Sequence, residues 1–172
     1  MLAVSETHKE RYSSIFLNLK GIEYFLFEED FMENNIRCIP MIIRFKMDKA
    51  GIKLKLFEWK RFSTEEKILL ANLKCNKDEE TGRYKKYLER LIKKHTGKEA
   101  KVLEVDGAPA WNKGDSLPGI LKEKLIEFDW ELSVEQWKSL TDLQRFALLK
   151  LCRPGHENKN FPKAMREFKL VE

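Results

Sequence analysis

The densest concentration of groups able to do chemistry in this sequence is Arg153-Pro154-Gly155-His156-Glu157-Asn158-Lys159-Asn160-Phe161-Pro162. A Pro-Gly pair breaks an apolar helical run, hydrogen-bonding side chains follow, and an aromatic and a second proline open another helix. His156 is the one histidine in a setting that suggests a site, since an imidazole serves as a general base near neutral pH and Glu157 or Asn158 would have to orient it. Adjacent residues seldom orient one another. No nucleophilic Ser or Cys motif, Gly-rich phosphate loop, His-Glu-x-x-His or spaced carboxylate pair accompanies it. The stretch therefore yields no catalytic residue and no metal ligand. It reads as a structural loop, with Asn158 or Asn160 capping the following helix and Arg153 bonding the carbonyls that end the preceding one, or as a binding surface.

The bulk composition sets the frame for that loop. With 172 residues, 42% apolar and 35% charged, the chain belongs with soluble globular proteins and is long enough to bury a core. Its formal charge of +5 is the small excess of 33 basic over 28 acidic residues, which makes nucleic acid the weaker choice of partner. Cys38, Cys75 and Cys152 are isolated and odd in number, so neither a zinc site, a disulfide framework nor a cluster with four cysteine ligands is signalled. No cofactor is expected. Reduced cysteines, the lack of a membrane-length apolar run and the lack of a signal-peptide centre point to the cytoplasm.

The elements that must hold the loop are helical, and an all-α fold is expected. Residues 1–22 read as an N-terminal extension, and 23–172 as a single helical domain. Tyr24-Phe25-Leu26-Phe27 followed by Glu28-Glu29-Asp30-Phe31 suggests a short strand or extended arm near 23–31. Pro40 opens a helix that Gly51 stops, and Ser63-Thr64-Glu65-Glu66 is a capping box for the next. Tyr84, Tyr87, Leu88, Leu91 and Ile92 then lie at helical spacing among basic residues, with Gly97 past the end. Residues 97–117 form a long connection. A shift of 78 positions places Pro118 on Pro40, Trp137 on Trp59 and Thr141-Asp142-Leu143-Gln144 on the first capping box, so two copies of a three-helix unit are expected at about 40–75 and 118–153. Trp59 and Trp137 are expected to be core anchors. Lys55 stands where the second copy has the cap Ser133, so its short helix is less securely started.

Phe27-Glu28-Glu29-Asp30-Phe31, Arg37-Cys38-Ile39-Pro40-Met41, Arg44-Phe45-Lys46-Met47-Asp48, Gln144-Arg145-Phe146-Ala147-Leu148 and above all Arg153 to Met165 resemble the conserved nitrate reductase-associated protein family over about residues 25–170. The resemblance implies an accessory or maturation factor needed for active assimilatory nitrate reductase, not an enzyme, with the reductase as partner. It carries no assigned catalytic residues. The motif positions Arg153, Gly155, His156, Glu157, Asn158, Lys159, Asn160 and Phe161 become partner-binding candidates, with Glu28, Asp30, Arg37 and Arg44 as secondary ones. A nucleic-acid-binding helical module and, behind it, an enzyme centred on His156 are the alternative readings.

Overall fold

The computed structural model describes residues 25–31 and 38–172; the side chains of residues 29–31, 156 and 157 lie outside the description. The described residues form eight α-helices, short 3-10 turns and one two-stranded ladder, so the chain is mainly α. Its Cα positions divide into two compact units, which part between Val105 and Asp106; residues 25–27 belong to the second. None of the described helices is long and apolar enough to cross a membrane.

In the first unit, α1 (Met41–Ala50) starts at Pro40, and the buried carboxylate of Glu28 accepts the Met41 N–H at 2.7 Å. Gly51 ends α1 with φ 65°. A side chain there would also collide, because a Cβ would stand 2.7 Å from the Leu103 carbonyl oxygen. That close approach brings β1 (Ile52–Lys53) antiparallel to β2 (Lys101–Val102), with Ile52 opposite Val102. Between them lie α2 (Leu56–Trp59), α3 (Thr64–Asn72) and α4 (Asp78–Thr96). Ile43, Trp59, Leu70, Tyr84, Leu88 and Ile92 are fully buried in one core cluster.

The start of α3 is the reciprocal box expected of Ser63 and Glu66: Glu66 N–H donates to Ser63 Oγ at 3.2 Å, and Ser63 N–H donates to Glu66 Oε2 at 2.9 Å. The same carboxylate receives Lys94 Nζ at 2.8 Å and lies 2.7 Å from His95 Nε2. Burial opposes ionisation of Glu66, but the bonds from Lys94, the Ser63 amide and His95 outweigh it and hold the carboxyl below its usual range.

The end of α3 depends on α1. Lys46 Nζ donates to the carbonyls of Ala71 and Leu73, both at 2.6 Å, satisfying backbone acceptors that the helix terminus leaves open. Burial pushes the Lys46 ammonium down to about 8 from its ordinary 10.5. Below pH 8 the amine is charged in both the folded and the unfolded chain. Between about 8 and 10.5 the folded chain has released a proton that the unfolded chain keeps, so the contribution of this group to stability rises with pH. A neutral amine still donates two hydrogen bonds, so deprotonation keeps both contacts. In Lys46→Met we expect this rise to vanish and stability at pH 9 to fall by about 1 to 3 kcal/mol, the cost of two unpaired carbonyls. Urea unfolding of both proteins at pH 7, 9 and 10 checks this.

In the second unit, α5 (Gly119–Glu127) starts at Pro118, and α6 (Val134–Ser139) and α7 (Asp142–Cys152) start on the boxes Ser133/Gln136 and Thr141/Gln144. A last helix, α8 (Phe161–Glu167), follows the loop motif. Most of α7 is buried, including Phe146, Leu148 and Arg145. Trp137 is fully buried like Trp59, and its indole N–H donates to the Lys113 carbonyl at 2.9 Å. Both tryptophans are core anchors.

The segment read as a strand or arm near 23–31 is a 3-10 turn over Leu26–Phe31. Its apolar run was too short to distinguish the two forms, and the deciding contact is remote: the Glu167 carboxylate accepts the amides of Leu26 and Phe27 at 2.8 and 3.0 Å. Phe25 and Phe27 pack on Phe168, with ring centroids 5.0 and 6.2 Å away.

Three pairs of helices start 78 positions apart: Met41 and Gly119, Leu56 and Val134, Thr64 and Asp142. The short member without a hydroxyl cap is the shorter, four residues for α2 against six for α6. There the Glu58 carboxylate takes the Lys55 N–H at 2.7 Å, so only half of the usual reciprocal cap forms.

Candidate functional site

The loop motif joins α7 to α8. The backbone N–H of Arg153 closes α7 on the Lys150 carbonyl at 3.3 Å, and its side chain is exposed instead of bonding the helix end. His156–Asn160 form a 3-10 turn, closed by the Asn158 N–H on the Gly155 carbonyl at 3.2 Å. Lys159 is exposed and Asn158 half-buried; the side chains of His156 and Glu157 are outside the description. Asn160 stands where a cap of α8 was expected, yet its backbone is already helical and its side chain makes no capping bond. It is 2% exposed, and its Oδ1 finds no donor among the described residues. A buried unpaired acceptor costs about 1 to 3 kcal/mol, which an ordered water or a partner's donor offsets.

Phe161, a candidate contact residue, is instead fully buried. Its ring centroid lies 5.8 Å from that of Phe128 and 6.4 Å from that of Trp130, and Phe128 and Trp130 stack on each other at 4.9 Å. The loop is thereby fastened beneath an aromatic pair that comes from the end of α5. Asp129, between the two rings, adopts φ 54°, a conformation more accessible to Asp than to most side chains. Asp129 N–H reaches the Ile126 carbonyl at 3.1 Å and Trp130 N–H reaches that of Leu125 at 3.0 Å, the paired bonds that close a helix through a left-handed residue. That turn leaves Phe128 36% and Ile126 77% exposed and Trp130 partly so. Arg166 of α8 lies 5.9 Å over the Trp130 ring and Lys124 lies 5.5 Å over that of Phe128, so cations frame the aromatic pair.

The sequence missed Phe128, Trp130 and Arg166, although Phe128-Asp129-Trp130 just past an apolar helical face was a legible sign of a left-handed cap. Of the secondary candidates, Glu28 is the buried acceptor that starts α1, and Arg44 Nε donates to the Ile39 carbonyl at 2.8 Å in the same turn. Both sit in the first unit and serve its helix start. The Asp30 side chain and Arg37 lie outside the described residues. Cys75 and Cys152 are buried, Cys38 is half-buried, and burial pushes the Cys152 thiol up to about 12, away from reactivity. Among the described residues no three His, Cys, Asp or Glu side chains are grouped so as to hold a metal ion.

The model of the conserved nitrate reductase-associated proteins matches residues 24–168, through the first turn, both units and the loop motif. The chain belongs to that family. No curated protein and no solved structure matches it. Within this nitrate reductase-associated chain, the match ends at Phe168, whose ring packs on Phe25 and Phe27.

Proposed function

We propose that the protein is a non-catalytic accessory factor of assimilatory nitrate reductase, acting in the cytoplasm during maturation or activation and docking through the second unit. The docking face comprises Arg153, Gly155, Asn158 and Lys159 of the loop together with Phe128, Trp130 and Arg166. Family membership supports the pathway. The observation that carries the surface is the partly exposed aromatic pair, framed by cations and joined through Phe161 to the family's longest motif. Aromatic and arginine side chains supply most of the binding energy where proteins meet, since they bury large rigid areas for little entropy.

The common order and spacing of the helix starts also supports a duplicated unit. On this view the first copy is scaffold, and specificity lies where the second departs from it.

The function is tested by preparing the reductase from cells with and without this protein and assaying activity together with bound metal and cofactor. An accessory role gives a reductase poor in activity or cofactor when the protein is missing. Equal activity and equal content would refute it, and loss of function in His156→Ala with the protein still bound would favour an enzyme instead.

A further inference from the structure

The small net charge of the chain conceals a division. Residues 106–172 hold 11 basic and 11 acidic side chains and residues 1–37 hold 4 and 7, whereas residues 38–105 hold 18 and 10, an excess of +8. Six of the eighteen basic residues lie on α4, against four acidic ones. Tyr84, Leu88, Leu91 and Ile92 are its buried face. At 100° per residue, Arg83, Lys86, Arg90 and Lys93 fall within about 80° of one another on the opposite side, and all four are exposed. They span ten residues, about 15 Å of helix.

The four cations are weakly engaged. Arg83 stands 3.7 Å from Glu79 and Lys93 meets Glu99, both as exposed pairs that carry little energy. Arg90 is laid across the Tyr87 ring, 5.9 Å from its centroid, which holds the guanidinium ready at the surface. Lys86, Arg90 and Lys93 also line an open groove of about 360 Å³ with Glu89 and Glu99.

We propose that this stripe is a second docking surface and takes an acidic helical segment of a partner protein. The spacing selects a helix, because the cations recur at intervals of three, four and three residues. The alternation of three and four is the seven-residue repeat at which two helices keep a common seam. Charge selects an acidic segment, steered by the excess of residues 38–105. Phosphate backbone fits less well: Glu79, Glu89 and Glu99 lie along or at the ends of the stripe and repel a continuous anion, while a helix can leave those positions neutral or basic. The surface belongs to the first unit, so the inference stands apart from the docking face of the second.

The test uses the full chain and three labelled probes at low ionic strength. One is a synthetic helical peptide with glutamates at i, i+3, i+7 and i+10; the second has the same composition with the spacing scrambled; the third is a single-stranded oligothymidylate of equal charge. We expect the spaced peptide to bind at least about tenfold more tightly than the scrambled one, and added salt to weaken it. Lys86→Glu with Arg90→Glu, both at exposed positions, should lower that affinity at least about tenfold while the helical circular dichroism is unchanged. Equal affinity for the two peptides, no binding of either, or an unaffected double variant would overturn the proposal. Tighter, stripe-dependent binding of the oligonucleotide would replace the acidic helix by nucleic acid. Since no probe is the reductase, none of these outcomes decides whether the reductase docks on the second unit.

Discussion

Replacing Arg145 by alanine is expected to lower stability by about 2 to 4 kcal/mol, the cost of leaving its buried carbonyl acceptors without donors. Arg145 is 8% exposed and its guanidinium is used on every side. Nε donates to the Trp111 carbonyl at 2.7 Å, Nη1 to the Leu140 carbonyl at 2.9 Å and more loosely to that of Lys138, and Nη2 bonds the Asp142 carboxylate. The Lys138 and Leu140 carbonyls are the open end of α6, so a side chain from α7 caps its neighbour and ties down the 3-10 turn at Ala110–Asn112. Alanine would leave those acceptors buried without donors. Lysine has a single donor head and no fork, so Arg145→Lys should recover only part of the loss. Urea denaturation checks both variants, and a loss below about 1 kcal/mol for the alanine would show that water replaces the guanidinium.

Phe161→Ala should cost about 3 to 5 kcal/mol, because it removes a fully buried ring from a packed site and leaves a cavity. A second consequence separates it from other core truncations. Phe161 touches both rings of the Phe128 and Trp130 pair and opens α8 directly after the loop motif. Its loss should loosen the docking face, seen as a shift of Trp130 emission below the unfolding transition, whereas Phe161→Leu should retain most of the stability and the native emission. If the alanine variant unfolds at the wild-type urea midpoint, the loop is not anchored through this ring.

The sequence was most legible where a single local rule decides the outcome. Pro40 and Pro118 start helices, Gly51 and Gly97 end them in left-handed conformations, and Ser63/Glu66 and Thr141/Gln144 close their boxes. It was least legible where distant side chains satisfy the backbone. Glu167 fixes the turn at Leu26 and Phe27 from 141 and 140 positions away, and Glu28 starts α1 rather than offering its charge to solvent. Arg145 and Lys46 resemble surface charges in the sequence, but each is a buried cap for a neighbouring helix. Lys67, at the position equivalent to Arg145 in the first unit, lies over Trp59 at 5.2 Å, as Arg145 lies over Trp137 at 5.9 Å. The loop motif was conspicuous from its composition. Its division into exposed residues, Arg153 and Lys159, and buried ones, Asn160 and Phe161, was not, because burial depends on α5, which lies more than 30 positions earlier.

The most direct test of the docking account is the affinity of the purified protein for apo- and holo-nitrate reductase, measured for wild type and for Arg153→Glu and Trp130→Ala. Both positions reach the surface of the second unit, and the melting temperature of each variant reports whether its fold is intact. The account predicts that wild type binds at least one form of the reductase and that each folded variant binds it at least about tenfold more weakly. Wild type binding neither form, or both variants binding as wild type does, would contradict it.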